Sequence, residues 1–87
     1  MPRVAITIVA WNGMKYLPQS LASIAGQTFR DFSVIIVDNA SSDGMVEYVR
    51  SHHPETMILR NSKNLGFTRA QNQAITFSRT HFERKDE

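Results

Sequence analysis

The run Val34-Ile35-Ile36-Val37-Asp38-Asn39-Ala40-Ser41-Ser42-Asp43-Gly44 changes character at a single peptide bond. A β-branched apolar stretch gives way to a carboxylate and an amide, then to small polar residues and a glycine. A buried strand ends this way when its carboxyl end must present hydrogen-bonding groups. In open α/β sheets the ligand crevice lies at those ends. Asp38 and Asn39 are therefore candidate ligand contacts. The same residues could equally turn the chain and cap the next helix. This segment alone does not separate the two readings.

Upstream, Val4 to Ala10 is β-rich and almost continuously apolar, as a strand covered on both faces should be. Trp11-Asn12-Gly13 breaks it. From Met14 to about Ala25, the residues Leu17, Leu21, Ile24 and Ala25 follow helical spacing, with Pro18 in the first turn and Gly26 as a stop. Phe32 to Val37 forms the second strand. Ser42 or Asp43 is the expected cap of a short second helix, with Val46 and Val49 inward and Glu47 and Arg50 outward. His52-His53-Pro54 ends that helix. Thr56 to Arg60 reads as a third strand and Asn61 to Gly66 as a polar loop. Phe67, Ala70, Ala74 and Phe77 then predict the inner stripe of a last helix reaching about Phe82. Residues 1–82 make one domain, and the charged tail 83–87 is expected to be solvated.

The order is βαβαβα. Two crossovers in one sheet must be parallel and right-handed, with helices on both faces, so the chain is predicted to be a three-layer α/β domain. That topology brings Trp11-Asn12-Gly13, Asp38-Asn39 and Asn61 to Gly66 to one edge of the sheet. Three separate loops carrying polar groups converge there, which favours the binding reading over simple capping.

Composition narrows the partners. With 87 residues the core is thin, since a domain of this size buries only roughly two-thirds of its unfolded surface. A net charge of +2, with no basic stripe interleaved with aromatics, argues against nucleic acid. The absence of cysteine excludes disulfides and thiolate metal sites. No apolar run is long enough to span a bilayer, and the short Val4–Ala10 run, interrupted by Thr7, does not read as a signal peptide. Cytoplasmic residence is the expectation.

The candidate chemistry follows from residue types. The Asp38 carboxylate can accept from a ribose hydroxyl or from the N3–H of a uracil-type base, and the Asn39 amide can both donate and accept. Arg60, Lys63 and Arg69 surround the third strand end and the start of the last helix. There, N–H groups near Gly66 also attract anions, so either a diphosphate site or a solvated basic surface is expected. Trp11 could stack on a base or pack at the rim. Ser41 and Ser42 have no His-acid partner and read as caps, and His52-His53 with Glu55 reads as a surface pair. No GxGxxG or P-loop pattern and no Asp-x-Asp pair occurs. A phosphate-receiver reading of Asp38 lacks the further acids it needs, because Ala10-Trp11-Asn12 supplies none.

Four ordered motifs carry a family resemblance. They are Val4 to Asn12, Gln27-Thr28-Phe29-Arg30-Asp31-Phe32, Val37-Asp38-Asn39-Ala40-Ser41-Ser42-Asp43-Gly44, and Asn64-Leu65-Gly66-Phe67 with Asn72. Together they resemble the inverting GT-A glycosyltransferases of family 2, most closely the bacterial rhamnosyltransferase and galactofuranosyltransferase subset. The resemblance implies the N-terminal half of a GT-A, Rossmann-like fold that holds a UDP- or dTDP-sugar, in an enzyme of cell-envelope polysaccharide synthesis. It assigns the nucleotide to Val9, Ala10 and Asn12 and to Asp38 and Asn39, and the residue chemistry above adds Trp11, Asn64, Gly66 and Arg69 as candidate nucleotide contacts. Many relatives carry two aspartates where this chain has Asp38-Asn39, and Gln71 stands where relatives often have arginine. The family's Asp-x-Asp motif, its catalytic carboxylate and the acceptor half lie beyond Glu87. No catalytic residue, metal or cofactor is therefore expected in these 87 residues, and Mg or Mn only in a full-length parent at the inner face of the membrane. The open sheet edge makes a homo-oligomer, or a non-catalytic interaction module, the alternative.

Overall fold

Uninterrupted β-branched and apolar residues form strands that can be buried on both faces, and that is where they lie. The computed structural model describes residues 4–27 and 32–80. Their element order is β1 (Val4–Ala10), α1 (Leu17–Ala25), β2 (Phe32–Asp38), α2 (Met45–His52), β3 (Met57–Arg60) and α3 (Phe67–Ser78). The strands form one parallel sheet in the order β1-β2-β3. The register sets Ala10 beside Asp38 and Asp38 beside Arg60, so all three strands end level.

Alternate residues of the strands serve opposite faces. On one face Ala10, Val34 and Ile36 pack with Leu17 and Leu21 of α1 and with Met45 and Val49 of α2. On the other, Val37 packs against Ala70 and Ala74 of α3, with Val9 and Leu59 alongside. The three-layer α/β arrangement is thus as expected. Ile35, Ile36 and Val37 have no exposed surface, and burying each contributes about 1.5–3 kcal/mol.

Three expectations change in detail. α1 starts at Leu17 because Met14 to Tyr16 form a turn, in which the Gly13 carbonyl accepts from the N–H groups of both Tyr16 and Leu17. Neither Ser42 nor Asp43 is the cap of α2. Gly44 takes that position at φ 85°, and Asp43 reaches past it to accept from the Met45 N–H at 3.2 Å. The inner stripe of α3 is Ala70, Ala74 and Ser78, with Phe77 half-buried, whereas Phe67 is 68% exposed. Phe67 opens the helix at the level where the strands end, so it has no sheet beneath it. Small residues at 70, 74 and 78 let the helix backbone press close to the sheet. The predicted end at Phe82, the tail 83–87, and most of the Gln27–Phe32 motif lie outside the described residues.

Candidate functional site

The strand ends are joined to their loops by backbone before any side chain acts. The Asn39 N–H donates to the Ala10 carbonyl at 2.9 Å, and the Asn61 N–H donates to the Asp38 carbonyl at 2.9 Å. These bonds extend the ladder one residue past the strands and bring the three loops to one rim, as the topology predicted.

Side chains then tie the loops together in two groups. In the first, between the loops after β1 and β2, the Asn12 N–H donates to Ser41 Oγ and Asn12 Oδ1 accepts from the Ser42 N–H, both at 2.8 Å. The Met14 N–H donates to Asp43 Oδ2 at 3.0 Å. Ser41 Oγ in turn donates to Met45 Sδ. Asn12 and Ala40 hold φ values of 50° and 70°, a left-handed conformation that asparagine tolerates well and alanine poorly.

In the second group, Asn39 joins the loop after β2 to the loop after β3. Its Nδ2 donates to the Gly66 carbonyl at 3.2 Å, and its Oδ1 accepts from Asn61 Nδ2 at 3.0 Å and from the Leu65 N–H at 3.2 Å. Asn61 also exchanges a reciprocal pair of amide bonds with Gln73 of α3, at 2.9 and 2.8 Å. Gly66, at φ 84° and ψ 165°, occupies a region essentially restricted to glycine, and its N–H donates to Asn64 Oδ1 at 2.8 Å. Among the described residues no buried side-chain nitrogen or oxygen lacks a partner.

Asp38 is fully buried. Its Oδ1 accepts from the Ser41 N–H at 3.0 Å and its Oδ2 from Arg60 Nε at 3.3 Å. An ionised carboxylate can be buried when a cation and hydrogen bonds offset its lost hydration. Arg60 supplies the charge and stays half exposed.

Of the residues assigned to a nucleotide from sequence, those in the loops after the three strands are brought to one rim and Arg69 is not, and they do different things. Trp11 is 57% exposed on the rim, and Ala10 and Asp38 are buried. Val9 is half-buried beside α3, and Asn64 and Gly66 lie exposed before it. Asn39 is buried, with its amide taken up inside the protein. Arg60 and Arg69 do not share a wall. Arg60 lines an open polar concavity of about 510 Å³ with Ala40, Ser41, Asn61 and Ser62. Arg69 lines a different, more apolar one with Leu59, Leu65 and Gln73. The sequence reading overlooked the link from Asn61 to Gln73 and the left-handed turn at Ala40. The only hint lay in the density of amides between Asn61 and Gln73.

Residues 5–82 match the family described as Glycosyl transferase family 2. The chain belongs to that family. An uncharacterized glycosyltransferase of Haemophilus influenzae is 29% identical over 98% of this chain and 28% of its own length. An N-acetylglucosaminyl-diphospho-decaprenol L-rhamnosyltransferase of Mycobacterium tuberculosis is 33% identical over 86% of this chain and 24% of its own. A mannosyltransferase of Pyrobaculum calidifontis, solved in complex with GDP-Man and Mn2+, superimposes with a TM-score of 0.77 at 26% identity, over 87% of this chain and 24% of that one. The chain thus spans about a quarter of the length of these relatives. Its sheet and flanking helices are the α/β arrangement of a GT-A glycosyltransferase. No helix among the described residues is long and apolar enough to cross a membrane.

Proposed function

We propose that these residues form the nucleotide-binding platform of a family 2 glycosyltransferase, holding the nucleotide part of a UDP- or dTDP-sugar. The parent reaction is transfer of the sugar, with inversion, to an acceptor hydroxyl in the synthesis of a cell-envelope polysaccharide on the cytoplasmic side. The observation that carries this reading is the tied rim. Loops far apart in sequence are locked together by Asn12 with Ser41 and Ser42 and by Asn39 with Gly66 and Leu65. Such preorganisation spares a ligand the entropy of ordering the loops itself.

The chemistry that breaks the donor bond needs a base for the acceptor hydroxyl and charge stabilisation for the departing diphosphate. Among the described residues no three His, Cys, Asp or Glu side chains lie close enough to hold a metal ion. Asp38 is occupied by Arg60 and Ser41. On the family resemblance, the divalent cation and the catalytic carboxylate are assigned to a longer parent, and these residues contribute the nucleotide seat. Titration of UDP, dTDP and their sugars by calorimetry, with amide resonances followed by NMR, tests the proposal. Binding with shifts at Trp11, Ala40 and Ser62 is expected. No perturbation by any pyrimidine nucleotide would remove the reading.

The alternative, an interaction module that self-associates, draws on one observation. Residues 5–9 of β1 are only half-buried, and no strand among the described residues pairs with their outer edge. An uncharged strand edge is a template for pairing. Light scattering that finds a monomer at high concentration would dismiss it.

A further inference from the structure

Asp38 is the residue that sequence places first in a ligand site, yet the structure gives a ligand no access to it. Its side chain is 0% exposed, and each carboxylate oxygen already accepts a hydrogen bond. The cation bonded to it is Arg60. The register sets the two side by side at the ends of β2 and β3, and the Arg60 side chain keeps 48% of its surface.

An arginine has five N–H donors in a rigid fork, so using the Nε–H on Asp38 leaves both Nη groups for something else. Among the described residues they have no partner. Arg60 belongs to the wall of the concavity formed with Ala40, Ser41, Asn61 and Ser62. Two of those neighbours have little left to offer. The Ser41 hydroxyl is engaged by the Asn12 N–H and Met45 Sδ, and the Asn61 amide by Asn39 and Gln73. The side-chain groups of that wall with no bond to a described residue are the Arg60 Nη groups and the Ser62 hydroxyl.

Charge then selects the ligand atom. Asp38 neutralises Arg60, so the concavity offers oriented donors without a surplus of positive charge. That suits an uncharged oxygen acceptor better than a diphosphate, which gains most from an uncompensated cation. Resting on the nucleotide-platform reading above, we propose that Arg60, rather than Asp38, is the group that touches the nucleotide at this point. Its Nη groups donate to a keto oxygen of the base, and Asp38 is the positioning residue that holds the fork.

Arg60→Lys is the decisive variant. Lysine preserves the charge beside Asp38, and with it the fold, but a single ammonium cannot hold the carboxylate and also present a planar pair of donors. NMR titrations of the parent chain and the variant with uridine, UDP and inorganic pyrophosphate separate the possible contacts. Expected are losses of affinity for uridine and UDP by the same factor, about 10-fold or more, with pyrophosphate unchanged and the melting midpoint retained. Asp38→Asn should weaken uridine binding too. The double variant should lose no more than Arg60→Lys alone, because the two groups act as one unit. A variant that loses affinity for UDP but not for uridine assigns Arg60 to phosphate and overturns the proposal. Unchanged affinity for both overturns it as well, while leaving the platform reading intact. Failure of the parent chain to bind either ligand removes both readings together.

Discussion

The middle of the sheet and its carboxyl rim are stabilised by different means. In the middle, Ile35, Ile36, Val37, Val46 and Val49 are buried apolar residues whose contribution is the area they remove from water. At the rim, position matters more than area. Every residue with positive φ among those described, namely Asn12, Ala40, Gly44 and Gly66, lies there. So do the bonds that join residues far apart in sequence, such as Asn12 to Ser41 and Asn39 to Gly66. The middle keeps the chain folded, and the rim gives its loops one shape. Perturbing each region should therefore produce losses of different size and kind.

The largest effect is expected in the middle. Ile36 sits on the central strand with no exposed surface, packed among residues of α1 and α2. Ile36→Ala should destabilise the domain by about 2–5 kcal/mol, much of the total stability of a domain this small. Urea unfolding followed by circular dichroism measures it. A loss well below that range would mean the helices close over the cavity, and the middle would be more plastic than its packing indicates.

Next comes the rim's central amide. Asn39 must donate to the Gly66 carbonyl while accepting from Asn61 and Leu65, which an ionised carboxylate cannot do. Asn39→Asp is nearly identical in shape, yet should cost about 2–3 kcal/mol by leaving a buried charge against a carbonyl. Protonation restores a donor, so the gap in stability between variant and parent should narrow as the pH is lowered. A gap that does not depend on pH would show that the Gly66 bond is dispensable.

This residue also marks how far sequence reasoning reaches. The strands, their parallel order and the convergence of the loops were legible, because β-branched runs and helical spacing are local patterns and the handedness of crossovers leaves little choice. The partners of Asn39 were not. They depend on which loop atoms lie within 3.2 Å once the chain is folded, and no local pattern encodes that. Asp38 was rightly placed at the strand end, but its ion pair with Arg60 follows from a register between β2 and β3 that the sequence leaves open. Phe67 was misplaced because helical spacing predicts a stripe without saying where the sheet beneath it stops.

A smaller loss is expected at Gly66. A Cβ there would meet nothing within 4 Å, so any penalty comes from the backbone at φ 84° and ψ 165° and not from crowding. Gly66→Ala should cost about 1–3 kcal/mol. It should also weaken nucleotide binding if the start of α3 rotates away from Asn39. Thermal melts and a UDP titration read the two effects separately, and a variant as stable as the parent would mean the loop relaxes into another conformation.

The smallest effect is expected at Ala40, where strain and chain entropy oppose each other. At φ 70° an alanine side chain crowds its own backbone, which costs about 1–2 kcal/mol relative to glycine. Glycine in turn loses more freedom on folding, by about 0.4–1 kcal/mol. Ala40→Gly should thus stabilise the domain slightly, by about 1 kcal/mol or less, whereas Ala40→Val, with a β-branched side chain in the same turn, should destabilise it. If both substitutions lower the melting temperature, the methyl group must be packing against something at the mouth of the Arg60 concavity, which Ala40 lines. The turn would then be held by side-chain contact, as the middle of the sheet is, and the contrast between the two regions would be weaker at this point of the rim.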